Sequence, residues 1–481
     1  MNWRILFIFA WLIPSIAHAE STVTIGAEDV LSRVLGDAPQ TLIAREELGE
    51  VEALLMSSKS MFDTQLTLDA NHTRDESKRS STFFGTRQDM TNWNLGVARK
   101  FASGTSASID WTNQRSKLFG SPVINGASIF PTDATFESIL QFSVSQSLLK
   151  NVIGMNDRAV VNQARKAFAA ADYGTKYRIA SIAQGVLSLY WQWVIASKNV
   201  SSWESSVSDA KSFLNITNKR KSLGTAEKSD VLAAQANLLN RENGLAGANI
   251  LKEQLEKELR VLLAYDSETN LEPKDESPHF IHEEIPTRED AVTTALSRRW
   301  DYLAQKAEVE RQNITLVAAK NKRWPELDVF GTFSLNDITT SYASTVKDID
   351  SPAWTVGMGL SFPLENRGAR AEAKQARHGK AKAIFQLKEL ENDIANSVSE
   401  LVSRLNTNIE ILKNAEQAEK LQKEKLRQEL GKYQIGRSSS ELIIRYQDDR
   451  LMSEQSALSA WENYINTVLG LKLAENVLID L

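Results

Sequence analysis

From about Ala371 to Leu430 the chain contains no proline and a single glycine, Gly379. Apolar residues recur there at near-heptad spacing: Ile394, Val398, Leu401 and Leu405, then Ile409, Leu412 and Ala415, with charges on the other faces. Proline breaks a helix interior and glycine weakens it, so this stretch reads as one uninterrupted helix, about 90 Å long at 1.5 Å per residue. Asn156 to Asn218 is similar, with Ile179, Ile182, Val186 and Leu189 on one face. Helices of that length belong to coiled coils or duct walls rather than to globular cores. Each stretch stops near a lone glycine, Gly224 or Gly436, and a second helical pattern follows. The expectation is two helical hairpins whose tips turn on glycines with positive φ.

The two hairpins read as copies. Gln163-Ala164-Arg165 and Gln375-Ala376-Arg377 share a tripeptide, and the arginine precedes the tip glycine by 59 residues in both cases. Gln235 and Gln447 each follow their glycine by 11 residues. Further upstream, Lys59 precedes Leu66 by 7 residues, as Lys320 precedes Leu327. Landmarks kept in register over such distances predict an internally duplicated chain. The first copy holds about 49 additional residues between its first strand and its long helix.

Between these landmarks the hydrophobic period changes to two. Leu66, Leu68 and Ala70 alternate with polar residues, as do Trp93, Leu95 and Val97; Ala107, Ile109 and Trp111; and Leu140, Phe142 and Val144. Trp354, Val356, Met358, Leu360 and Phe362 form a fifth set, and Leu327, Val329, Phe333 and Leu335 a weaker sixth, with Phe330 out of pattern. Alternation over about ten residues is the signature of a transmembrane barrel strand, and equally of a half-buried sheet on a soluble core.

Residues 1–19 read as a secretory signal: Arg4, an apolar run from Ile5 to Ile13, Pro14, then Ala17-His18-Ala19 as a small-x-small cleavage site before Glu20. No later run approaches the ~18 apolar residues of a membrane helix, yet a chain without such helices can span a membrane as a barrel. Cysteine is absent, which removes disulfides, thiolate metal sites and a cysteine nucleophile. The net charge of −5 argues against nucleic acid as a partner. No Gly-rich phosphate loop or nucleophile motif is present. His279 and His282 are the only close histidine pair, in a polar segment with Pro278 and Glu283-Glu284 that reads as a solvated loop. The chain is therefore expected to be no enzyme and to hold neither cofactor nor metal.

Strand pair, long helical hairpin, and the same again: this order resembles the TolC-like outer-membrane efflux protein family over nearly the whole mature chain, from about Ala27 to Leu473. Arg323-Trp324-Pro325-Glu326-Leu327 resembles the segment entering a barrel strand, and Val144-Ser145-Gln146-Ser147-Leu148-Leu149 the exit of a strand into a long helix. Leu223-Gly224 with Ser229-Asp230-Val231-Leu232, and Tyr433-Gln434-Ile435-Gly436, resemble the two hairpin tips. The resemblance implies an α+β membrane protein: outer-membrane β-barrel strands on a long periplasmic α-helical coiled-coil barrel, internally duplicated and trimeric. The chain would divide into a signal (1–19), a first repeat (20–265) with short helices, barrel strands, an inserted strand pair and a hairpin, a linker (266–286), and a second repeat (287–481).

The function implied is that of a passive gated duct in tripartite efflux or type I secretion. Its partners would be two further copies, a periplasmic adaptor (membrane fusion protein), an inner-membrane pump and outer-membrane lipid. The gate and adaptor-docking tips would comprise Gly224, Ser229, Asp230, Tyr433, Gly436 and Arg437. Ser229 and Asp230 match the family's hydroxyl-plus-aspartate pair, and Tyr433 the tyrosine linking neighbouring hairpins. The family's gate arginine is replaced by Ser438, with Arg437 one place earlier, and its constricting aspartates by Leu442 and Arg445. The same residues also allow plain structural readings. Ser229 could N-cap the returning helix, Ser438 with Glu441 could form a capping box, and Tyr433 could pack between helices.

The family commonly has four strands per protomer. The additional residues here hold two more alternating segments, roughly Asn92–Lys100 and Ser106–Thr112, joined by Ser103-Gly104-Thr105 and flanked by longer polar loops. Short turns on the periplasmic side and long outer loops fit six strands and a wider barrel; the rival is a hairpin standing outside the barrel wall. The alternative function is a periplasmic coiled-coil adaptor without a pore, which would need only one hairpin and no alternating strands.

Overall fold

The computed structural model describes residues 22–78, 85–120, 123–124, 127–128, 133–274 and 285–479. The expected signal segment and the pair His279 and His282 lie outside these residues. In chain order the elements are β1 (Thr22–Ile25), α1 (Ala27–Gly36), α2 (Pro39–Ser58), β2 (Gln65–Asp75), β3 (Arg87–Lys100), β4 (Thr105–Phe119), β5 (Val123–Ile124), β6 (Ala127–Ser128) and β7 (Thr135–Ser147). There follow α3 (Met155–Ser222), α4 (Lys228–Leu262), β8 (Asn270–Pro273), α5 (Arg288–Arg298), α6 (Trp300–Asn321), β9 (Glu326–Thr339), α7 (Tyr342–Lys347), β10 (Ser351–Ser361), α8 (Arg367–Gln434) and α9 (Ser440–Ala474). α3 and α8 are each 68 residues long, and α4 and α9 each 35.

Two compact units form. The first comprises residues 1–47, 174–302 and 390–481, the second 48–173 and 303–389, so α2, α3, α6 and α8 contribute to both. The first unit has its core among Tyr190, Trp193, Val30, Val34, Leu259, Ile465 and Leu471, each at most 1% exposed. There β1 pairs in parallel with β8, aligning Val23 with Leu271. The segment read as a linker, 266–286, thus contains a strand, Asn270–Pro273. Leu271 and Ile25 are buried beneath it, and Tyr190 donates from its hydroxyl to the Ile25 carbonyl (3.3 Å). One further correction concerns α3. It contains an 18-residue window apolar enough to cross a membrane, contrary to the reading that no such run follows the signal, but 61% of that window is buried in protein. Its apolar residues are consumed by helix packing.

The second unit carries a six-stranded sheet in the order β10-β9-β7-β4-β3-β2, antiparallel throughout. The inserted pair β3 and β4 lies between β2 and β7, within the sheet, as the six-strand reading required. Its turn docks at the start of α3, where Lys100 Nζ meets Asp157 Oδ1 at 2.7 Å. Every connection to a long helix leaves from this same end of the sheet: α2 into β2, β7 into α3, α6 into β9 and β10 into α8.

Residues directly opposite in a ladder share a face. Leu66, Val97, Ile109, Phe142, Phe333 and Trp354 therefore form one row across all six strands, and Leu68, Leu95, Trp111, Leu140 and Leu335 the next. The other face is polar: Thr67, Gly96, Asp110, Gln141 and Ser334 make one row, and Asp69, Asn94 and Thr112 belong to the next. Phe330, out of pattern in the sequence, sits on the polar face with its ring over Gly357, where any Cβ would fall 2.6 Å from the ring. The apolar face is not covered: Leu66 is 71% exposed, Trp354 75% and Ile109 46%. A soluble sheet would bury these rows against helices; this one leaves them open. From Leu327 to Leu335 the band runs about 26 Å along β9, comparable to the lipid-facing belt of outer-membrane barrels.

Candidate functional site at the hairpin tips

Both tips close in the same way. After α3, Gly224 has φ +74° and the Thr225 amide donates to the Arg220 carbonyl (2.8 Å); after α8, Gly436 has φ +80° and the Arg437 amide donates to the Lys432 carbonyl (2.9 Å). This is the Schellman arrangement, which satisfies late helical carbonyls and needs a residue tolerant of positive φ. Replacing Gly436 by Ala strains the backbone without any side-chain clash, since no atom lies within 4 Å of the new Cβ. The expected cost is about 1 kcal/mol in a denaturation experiment.

The caps differ from the sequence reading by one or two residues. α4 is capped at Glu227, whose amide donates to Asp230 Oδ2 (2.9 Å), while Ser229 lies in the first turn with Oγ 3.3 Å from Glu227 Oε2. α9 is capped by Ser439, not Ser438; its Oγ accepts from the Leu442 amide at 3.3 Å. Arg437 and Ser229 are exposed. Leu223 and Ile435, each immediately before its glycine, are 76% and 68% exposed, so each tip presents one apolar residue outward.

Tyr433 lies at the centre of the site. It is 1% exposed and packs with Phe213, Ala234 and Ile443 in a small core drawn from α3, α4, α8 and α9. Its hydroxyl bonds Thr217 Oγ1 (3.1 Å) and Ser440 Oγ (2.8 Å). Arg220 donates to the Tyr433 carbonyl (3.1 Å) and stands 4.3 Å above its ring. Tyr433 thus ties the second hairpin to the first within one chain. Asp230 is not among its partners; its carboxylate is engaged at the Glu227 cap.

Away from the tips the contact continues as a seam of polar pairs. Asn237 on α4 donates to Gln447 on α9 at 2.7 Å. Arg241 pairs with Asp448, and Arg450 with Asp209 on α3 at 2.8 Å. Lys425 on α8 meets Asp449 at 2.8 Å. Arg241, Gln447 and Arg450 are all buried. Glu454, 3.6 Å from Arg450, is pushed above the usual carboxylate range by burial, against the pull of that arginine. The two glutamines that follow the tip glycines by 11 residues differ: Gln447 is buried in this seam and Gln235 is exposed. Sequence reasoning singled out the turn residues and missed Thr217, Asp209, Arg241 and Arg450. The available signal was a polar residue at a seam position. Val231, Ala234, Asn237 and Arg241 recur at spacings of three and four, a stripe normally apolar, where polar residues fix register.

Comparison with known proteins agrees with this architecture. Residues 291–463 match the family model described as outer membrane efflux protein. This stretch, about a third of the chain, is similar to that family. The matched region holds the second hairpin tip. Among solved structures, the fold is similar to the Campylobacter jejuni CmeC outer membrane channel, at 15% identity and TM-score 0.70, covering 94% of this chain and 86% of that one. It is also similar to the outer membrane protein VceC of Vibrio cholerae, at 14% identity and TM-score 0.69, covering 93% and 95%. The open state of the Neisseria gonorrhoeae MtrE outer membrane channel gives 15% identity and TM-score 0.68, covering 93% and 88%. No curated protein matches the chain by sequence at a significant level.

Proposed function

We propose that this chain is the outer-membrane duct of a tripartite efflux or type I secretion system: a passive, gated exit driven by an inner-membrane pump through a periplasmic adaptor. The observation that carries the reading is the uncovered apolar face spanning all six strands, on a chain whose other elements are long helical hairpins. A periplasmic adaptor has no use for such a face. The protein is an outer-membrane protein, with its helices in the periplasm.

The same face bears on assembly. β2 and β10 are the two free edges of the sheet; each is 11 residues long, and with six alternating strands they run in opposite directions. β10 of one copy can therefore pair antiparallel with β2 of the next, closing a ring without a parallel mismatch. Three copies give an 18-stranded barrel about 36 Å across, against about 24 Å for twelve strands. We read the matched lengths of the two hairpins as an internal duplication of residues 20–265 and 287–481. The segment from 266 to 286 joins the two, and residues 1–19 act as an export signal.

In this reading the tips form the gate. Tyr433 with Thr217 and Arg220 holds the two hairpins together, Gly224 and Gly436 set the turns, and Asp230 with Ser229 fixes the returning helix. Arg437, Leu223 and Ile435 face the adaptor. No chemistry is assigned to any of these residues.

Two experiments test this. Alkaline carbonate should leave the chain in the outer membrane, whereas release into the soluble periplasm would sink the pore reading. Because the chain is free of cysteine, pairs introduced at Leu66, Leu68 or Ala70 and at Trp354, Val356 or Met358 report only designed contacts. Oxidation should give covalent trimers for some pairs, and a complete absence across the matrix would exclude edge-to-edge closure.

A further inference from the structure

Beyond the apolar band, away from the end that joins the helices, the same outward face becomes basic. Arg115 on β4 lies opposite Thr91 and Phe136, and Lys117 lies opposite Asp89, which faces Arg74 on β2. Arg87 follows, opposite Phe119. These residues alternate in step with Trp111 and Trp93, so they share the uncovered face; Arg115 stands about 13 Å along the strand from Trp111. The acidic residues beside them on the β2–β3 side are already engaged. Glu76 is 2.7 Å from Arg74, and Asp89 is 3.3 Å from Arg87. Among the described residues Arg115 makes no hydrogen bond or ion pair, and Lys117 meets only the Phe119 ring, 5.1 Å from its Nζ. Both are half-buried and held in a strand rather than on a loop. On the opposite face the same stretch of β4 carries Gln114, Ser116 and Leu118. Aromatic rings flank the basic residues: Arg87 stacks on Phe119 (3.7 Å), and Phe136 packs edge-on against Tyr342 of α7 (5.9 Å).

We propose that Arg115 and Lys117, flanked by Arg74 and Arg87, bind the phosphate groups of the phosphorylated glycolipid (lipid A) that forms the outer leaflet. The inference rests on the outer-membrane reading, because that reading sets this end of the sheet outside the cell. Three features of the face select the ligand. Arg115 and Lys117, without an ion pair to any described residue, stand two and three rows beyond the Trp111 row, at headgroup height. Aromatic side chains of the kind found at membrane interfaces border them. Guanidinium and ammonium groups in a fixed strand present charge-assisted donors to phosphate oxygens. The β3–β4 insertion contributes Arg87, Arg115 and Lys117, so the additional strands supply a lipid contact as well as barrel width.

The test uses full-length protein purified in mild detergent and examined by native mass spectrometry with three lipids: bisphosphorylated lipid A, its monophosphorylated form and phosphatidylglycerol. Wild type should retain bisphosphorylated lipid A best. The double variant Arg115→Gln/Lys117→Gln should retain it about tenfold less, while the double variant Lys413→Gln/Lys420→Gln, at exposed positions on α8, should match wild type. Equal retention by the Arg115/Lys117 variant, or equal retention of phosphatidylglycerol, overturns the proposal. Carbonate washing of the expressing cells separates the two levels. If wild type and variant both stay in the outer membrane, a failed lipid test removes only this site. If wild type is washed out, the barrel reading falls and this inference falls with it.

Discussion

Tyr433→Phe should turn a closed duct into a leaking one. The substitution keeps the ring among Phe213, Ala234 and Ile443 and removes only the hydroxyl that bonds Thr217 and Ser440. Two buried hydrogen bonds at about 1 kcal/mol each give about 2 kcal/mol, or roughly a 30-fold rise in the open fraction. Planar-bilayer recording of the purified protein measures this directly as open dwell time. Thr217→Val removes one of the two bonds and should move the same quantity by a smaller factor, since its other bond, to the Phe213 carbonyl, lies within α3 and does not join the hairpins. An unchanged open fraction in a folded Tyr433→Phe protein would mean that Tyr433 only packs, and that closure resides in the Arg241–Asp448 and Arg450–Asp209 pairs.

The second large effect separates the two faces of the sheet. Ile109 and Ser108 are neighbours on β4; Ile109 belongs to the exposed apolar row and Ser108 lies opposite Ser143 on the polar face. Ile109→Arg should cost about 2–4 kcal/mol of folding into lipid vesicles, because a charge at mid-membrane depth must be desolvated. Ser108→Arg should cost roughly 1 kcal/mol or less, since a lumen-facing charge stays in water. Urea titration of vesicle-inserted protein gives both values. If the costs are equal, or reversed, the apolar face is not in contact with lipid and the sheet packs against protein.

Much of this architecture was legible because it rests on local rules. Helix continuity over Met155–Ser222 and Arg367–Gln434 follows from missing proline and near-heptad spacing, and the turns at Gly224 and Gly436 from the backbone freedom of glycine. Strand existence follows from period-two alternation, and the insertion from misaligned landmarks. Alternation cannot say whether an apolar row is buried by protein or left open, because both cases use the same pattern; that became plain only when Leu66, Ile109 and Trp354 stood exposed in a six-strand ladder.

The tip shows the same division. The sequence by itself placed the turns and named Tyr433, but cap positions depend on backbone dihedrals, so Glu227 and Ser439 took the roles expected of Ser229 and Ser438. The partners of Tyr433, and the seam through Arg241, Gln447 and Arg450, are contacts between residues some 200 positions apart. Periodicity fixes which face of a helix is buried. Only the packing of four helices decides which polar residue meets which across that face, because a buried charge is tolerated only where its partner arrives.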